Sequence, residues 1–140
     1  MSLKEKLIEI SKGFPAEFEE QRDGLLILQF VVAERKVFLS KKKLTYKCKI
    51  RIDDMEKVVT FFEMLHESSV GLSGGAGMGF TKETYGLKGK EREGNIEEQS
   101  RLFGKDYKYS FDYKKIREAI KREVEKAGYS FSVHLLEKLV

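Results

Sequence analysis

Two hydrophobic periods alternate along this chain, and the places where one gives way to the other mark its elements. The opening Ser2-Leu3-Lys4-Glu5 is a capping box, and Leu3, Leu7, Ile8 and Ile10 follow as the apolar side of a short helix. Gly13 and Pro15 end that helix, and a further helical turn fits residues 16–23. From Leu25 the pattern changes. Residues 25–33 are apolar on both sides of an extended chain, which predicts a strand covered on both faces or central in its sheet. Glu34, Arg35 and Lys36 interrupt it, residues 37–39 resume it, and Ser40 with three lysines predicts a polar turn over 40–43. Residues 44–52 then alternate. Leu44, Tyr46, Cys48, Ile50 and Ile52 face one way; Lys43, Thr45, Lys47, Lys49 and Arg51 face the other. The two runs predict an antiparallel hairpin with one wet, basic face.

Asp53, followed by Glu56, predicts a second capped helix that runs to about Glu67 and buries Met55, Val58, Val59, Phe62 and Leu65. Eight of the twelve glycines then fall between Gly71 and Gly94. A short strand is expected within 79–85, a charged and weakly patterned stretch over 87–102, and a helical turn at 96–102. Residues 105–111 read as a strand with Tyr107, Tyr109 and Phe111 on one side. Asp112 caps a helix over 113–127, Gly128 closes it, and Tyr113, Ile116, Ile120, Val124 and Ala127 form its apolar face. Residues 129–136 alternate again. These runs predict the α+β class: a mainly antiparallel sheet of about four to six strands with helices packed on one face, plus a glycine-rich excursion. One domain, 1–140, is expected, with helix, hairpin and helix in 1–67, a flexible glycine-rich and charged segment in 68–104, and strand–helix–strand in 105–140.

Composition narrows the class. Charged residues make up 36% of the chain, against one Asn and three Gln, a thermophile-like balance rich in ion-pairing side chains. The net charge of +4 permits an anionic partner without demanding one. Cys48 is the single cysteine, so no intramolecular disulfide forms, as suits a reducing compartment. No run is long and apolar enough to span a bilayer, and the N-terminus lacks a basic start followed by an apolar stretch. A cytoplasmic location is expected, with no membrane partner.

The glycine segment invites comparison with phosphate-binding loops. A P-loop needs Lys-Ser/Thr directly after its last glycine, but Gly79 is followed by Phe80 and Thr81, and Lys82 comes too late. The dinucleotide fingerprint fails as well, because starts at Gly75 or Gly77 would need glycine where Phe80 or Lys82 stands. A flexible connection is the leading reading, and an enzyme holding a phosphorylated substrate on the amides of 74–79 ranks last. No metal set is expected, since Cys48, His66 and His134 are far apart in sequence. Ser132 and His134 lack an orienting third group, so no hydrolytic triad is read there.

Ten Phe and six Tyr are generous for 140 residues, and many gather in the second half. Most are expected in the core, and the excess predicts either a ligand pocket or a homodimer interface. The leading expectation is therefore a homodimeric binding or oligomerisation domain without catalysis or cofactor. Its small-molecule or protein ligand would be held by Tyr107, Tyr109 and Phe131, with Gly74, Gly75 and Gly77 at the mouth. The alternative is nucleic-acid contact through Lys43, Lys47, Lys49 and Arg51, whose side chains recur about every 7 Å along a strand, near the spacing of phosphates. Against it stand the missing stacking residues on that face, since Tyr46 points the other way. Lysines that keep a sheet from aggregating would read the same.

Overall fold

The structure is a computed structural model, and it describes residues 1–71, 90–91 and 96–135. In chain order the described elements are α1 (Leu3–Ser11), β1 (Glu19–Glu20), β2 (Leu26–Val37), β3 (Ser40–Asp53), β4 (Val58–Gly71), β5 (Lys90–Glu91), α2 (Ile96–Gly104), α3 (Lys114–Lys126) and β6 (Ser130–Val133). The strands form one mixed, mostly antiparallel sheet in the order β1-β2-β3-β4-β5, and β6 pairs with β4 in parallel. With the three described helices the chain belongs to the α+β class, as its patterning predicts.

The residues divide into two compact units. The first comprises Met1–Phe30, Lys47–Glu63 and Asp112–Val140. Here α1 begins on the expected capping box: Ser2 Oγ accepts the Glu5 amide at 3.2 Å, and Glu5 Oε1 accepts the Ser2 amide at 3.2 Å. Leu3 and Leu7 of α1, Leu26 and Leu28 of β2, and Cys48 and Ile50 of β3 are all buried in the core. From α3, Ile116, Ile120 and Val124 are fully buried at helical spacing. Asp112 Oδ1 accepts the Lys114 amide at 3.2 Å, and Gly128 takes the positive φ of +84° that ends the helix. The buried carboxylate of Glu63 on β4 meets Arg117 of α3 at 3.3 Å. The second unit comprises Val31–Tyr46 and Met64–Phe111. Val32, Leu44, Tyr46, Met64, Leu65, Ile96, Phe103 and Tyr107 are its buried residues of largest apolar bulk.

Residues 53–67 depart most from expectation, forming a turn and a strand in place of a helix. Asp53 Oδ1 accepts the amides of Met55 and Glu56 at 3.1 and 3.0 Å, the bonds of a helix cap, but they close the β3–β4 turn instead. Lys57 completes that turn with φ +55°, and Met55, expected in the core, is 94% exposed. The following Val58-Val59-Thr60-Phe61-Phe62 is β-branched and aromatic, which favours an extended chain. Phe61, Phe62, Met64 and Leu65 are all buried, so both faces of this strand are covered. A strand covered on both faces mimics a helical stripe.

Smaller corrections follow the same logic. Within 16–23, Glu19 and Glu20 pair with Ile27 and Leu26 as an edge strand, not a helical turn. Residues 34–36 do not interrupt β2, and 40–43 belong to β3; the hairpin turns at Phe38 and Leu39. Residues 105–111 are not a strand. Their described backbone bonds are isolated: the Asp106 amide donates to the Phe103 carbonyl at 3.0 Å, and the Ser110 amide and hydroxyl both donate to the Val32 carbonyl, at 2.7 and 2.8 Å. Of the expected 129–136 the last strand covers Ser130–Val133; Tyr129, His134 and Leu135 lie outside it, and Leu136 is outside the described residues. The helical turn expected at 96–102 is the full helix α2. The strand expected in 79–85 and the glycines of 74–79 lie outside the described residues.

Ser11, at the end of α1, is fully buried; its hydroxyl donates to the Ile8 carbonyl at 2.6 Å and accepts the Phe18 amide at 3.0 Å. Ser11→Ala therefore leaves a buried N–H without its acceptor, which should cost about 1–3 kcal/mol. Urea unfolding reads this as a lowered midpoint; an unchanged midpoint would mean that the Phe18 amide finds another acceptor.

Candidate functional site

The hairpin joining β2 to β3 places an apolar pair where polar residues usually sit. Rows of buried side chains on both strands fix their register, so the turn falls on whatever residues lie between them. Those residues are Phe38, 88% exposed, and Leu39, 62% exposed. Leu39 adopts φ +57°, a left-handed conformation that hairpins usually give to Gly or Asn. The apex thus combines backbone strain with apolar exposure.

Cations surround it. Arg35, Lys36, Lys41, Lys42 and Lys43 lie within five residues of Phe38 along the chain. Two of them are matched: Lys41 Nζ meets Glu34 at 2.8 Å, and Arg35 meets Asp106 at 3.4 Å. The hydrogen bond from Lys41 holds the Glu34 carboxyl below the usual carboxylate range. Lys36, Lys42 and Lys43 form no ion pair among the described residues, and Lys36 is exposed. Lys42 and Lys43 follow one another on a strand, so they project to opposite sides of the sheet.

Among the described residues the other non-glycine position with positive φ is Lys57, at the β3–β4 turn. Lys57 Nζ stands 5.0 Å from the centre of the Tyr129 ring, and the Tyr129 hydroxyl donates to Asp54 Oδ1 at 2.6 Å. In that turn Lys57 and Asp54 both engage Tyr129, while Met55 stands in solvent. At the β2–β3 apex both Phe38 and Leu39 stand in solvent.

The residues expected to bind a ligand are distributed differently. Tyr107 is buried and its hydroxyl donates to Glu67 Oε2 at 2.6 Å; the Tyr109 hydroxyl donates to the Ser100 carbonyl at 2.9 Å. Both belong to the second unit. Phe131 belongs to the first, on β6, with its ring centroid 5.3 Å from that of Phe61. Gly74, Gly75 and Gly77 lie outside the described residues. Of the basic strand, Lys43, Lys47, Lys49 and Arg51 all lie on β3 and are half-buried; Arg51 Nη1 donates to the Asp23 carbonyl at 3.4 Å. No group of three or more His, Cys, Asp or Glu side chains is placed to hold a metal ion among the described residues. No described helix is long and apolar enough to cross a membrane.

A surface hollow of about 370 Å³ opens beside the start of α1, lined by Ser2, Lys4, Asp23, Gly24, Ile52 and Asp54. Two of its charged side chains have partners within the fold: Lys4 meets Glu20 at 2.9 Å, which raises the Lys4 pKa, and Asp54 accepts from Tyr129. Compared with models of known protein families, with curated proteins and with solved structures, the chain has no match. The apex was overlooked in sequence because residues 37–39 continue an apolar run. The signal that marks it is an apolar pair enclosed by basic residues on both sides.

Two outcomes follow. Leu39→Gly should raise stability by about 1 kcal/mol, because a bulky residue leaves the left-handed region. Lys57→Gly should gain less, since it also removes the contact with Tyr129. Urea midpoints for both variants decide the point; destabilisation by Leu39→Gly would place the Leu39 side chain in packing rather than in solvent.

The second outcome concerns pH. Burial, and then the hydrogen bond to Glu67, push the Tyr107 hydroxyl well above the ordinary tyrosine range. A raised folded-state value favours the neutral phenol, so its contribution is complete below the unfolded value near 10 and is lost as pH rises through the folded one. Ultraviolet absorbance during alkaline titration should show Tyr107 ionising late, together with unfolding. Tyr107→Phe should therefore lower the amplitude of the late phase by one tyrosine; an unchanged amplitude would mean that Tyr107 ionises in the ordinary range.

Proposed function

We propose that the chain is a binding domain that works through the apex of its β2–β3 hairpin, and that its partner is a nucleic acid held by its phosphates. One observation carries this reading: Phe38, 88% exposed, stands among five cations, three of them outside any described ion pair. Lysines alone are explained by solvation or by protection of a sheet. An aromatic ring beside them adds the stacking group that the basic strand face lacks. The pocket reading has less support, because the hydroxyls of Tyr107 and Tyr109 are already bound inside the fold.

Fluorescence anisotropy with short random-sequence oligonucleotides, single- and double-stranded, tests this at low and then near-physiological salt. Binding should weaken steeply as salt rises, since neutralised phosphates release counterions. Lys42→Glu combined with Lys43→Glu should weaken binding to all sequences and flatten the salt slope by about 1–2 units. No binding at low salt would end the nucleic-acid reading.

A further inference from the structure

The apolar apex itself has no role in phosphate contact, and its position gives it one. We propose that Phe38 and Leu39 form a wedge that enters a duplex groove and unstacks a base step, while the cations of the hairpin hold the phosphates on either side. This rests on the nucleic-acid reading above and adds to it a mode of engagement and a substrate form, the double strand.

Three observations support it together. The first is exposure: both side chains stand in solvent at the point where the chain reverses, so they meet a partner before any other apolar residue of the hairpin. The second is strain. A leucine at φ +57° costs stability that glycine would recover, and the fold makes no internal use of its side chain comparable with that of Lys57 over Tyr129. The third is charge placement. Lys42 and Lys43 lie just behind the apex on opposite sides of the sheet, with exposed Lys36 on the other strand. An apolar edge with cations on both sides complements a groove with a phosphate row on each wall. Phe and Leu are both side chains that can part stacked bases and kink a duplex. A flat stacking surface for single strands would use the ring alone and leave Leu39 without purpose.

A lipid surface is the strongest competitor, because apolar residues among lysines also suit an anionic bilayer. The two-sided placement of Lys42 and Lys43 favours a groove, whose charge lies on two walls, over a plane.

A duplex carrying 2-aminopurine, a base analogue whose fluorescence is quenched by stacking, separates the outcomes. The intact chain should raise its fluorescence on binding. The double variant Phe38→Ala, Leu39→Gly alters only exposed side chains and relaxes the turn, so it should fold. It should still bind with an unchanged salt slope but with roughly tenfold lower affinity and no fluorescence rise. Equal fluorescence from variant and parent would overturn the wedge and leave the nucleic-acid reading standing. Absence of binding to any oligonucleotide at low salt would overturn both. Sedimentation with anionic phospholipid vesicles, lost in the same double variant, would assign the apex to a membrane surface instead.

Discussion

The far edge of β4 sets the terms for the second half of the chain. A long strand inside a sheet must satisfy its amides and carbonyls on both sides, and an orphaned buried backbone group costs as much as a lost hydrogen bond. On that edge β4 meets two short strands in succession. β6 runs parallel to it over Val58–Phe61, and β5 runs antiparallel at His66 and Glu67. Between them the Leu65 amide donates to Gln99 Oε1 of α2 at 3.2 Å, so a side chain stands in for a missing strand. The same requirement explains why β6 can be brief. It has only to cover the first part of β4, where its own start is also tied by the bond from the Ser130 amide to the Lys57 carbonyl at 2.8 Å.

That constraint separates what local sequence could reveal from what it could not. Helices α1 and α3 were legible because their signals lie within a few residues: Ser2 with Glu5, and Ile116, Ile120 and Val124 ending at Gly128. The strand β4 was not. Its apolar positions fit a helical stripe as well as a strand covered twice, and Asp53 makes hydrogen bonds common to helix caps and turns. Pairing breaks the tie, with β3 on one side and with β6, far away in sequence, on the other. Tyr107 and Tyr109 misled for a related reason. Alternating rings suggest a strand, but each hydroxyl finds its own partner, Glu67 or Ser100, and the backbone between them forms no ladder.

The hairpin turn was misplaced by two residues or more for a different reason. Turn chemistry points to Ser40 and the lysines, whereas register is set by the buried rows of β2 and β3. Where the two disagree, burial of many side chains outweighs the preference of a few turn residues. Phe38 and Leu39 inherit the turn, and Leu39 takes a left-handed backbone that its side chain opposes. The composition of the candidate site was thus visible in sequence as an apolar pair inside a basic run. Its exposure was not, because exposure depended on where the turn fell.

The apex also bears on why the lysines are there. If the cations of β3 served only to keep the sheet from associating, the sequence beside them should remove apolar exposure, not create it. Phe38 and Leu39 do the opposite, at the most accessible point of the hairpin and at a cost in backbone strain. Protection accounts for Lys36, Lys42 and Lys43 taken alone but leaves the apex working against them. Under the proposed function, recognition of an anionic partner with apolar interior surface would account for both, since charge would bring the partner in and the apolar pair would give it something to enclose.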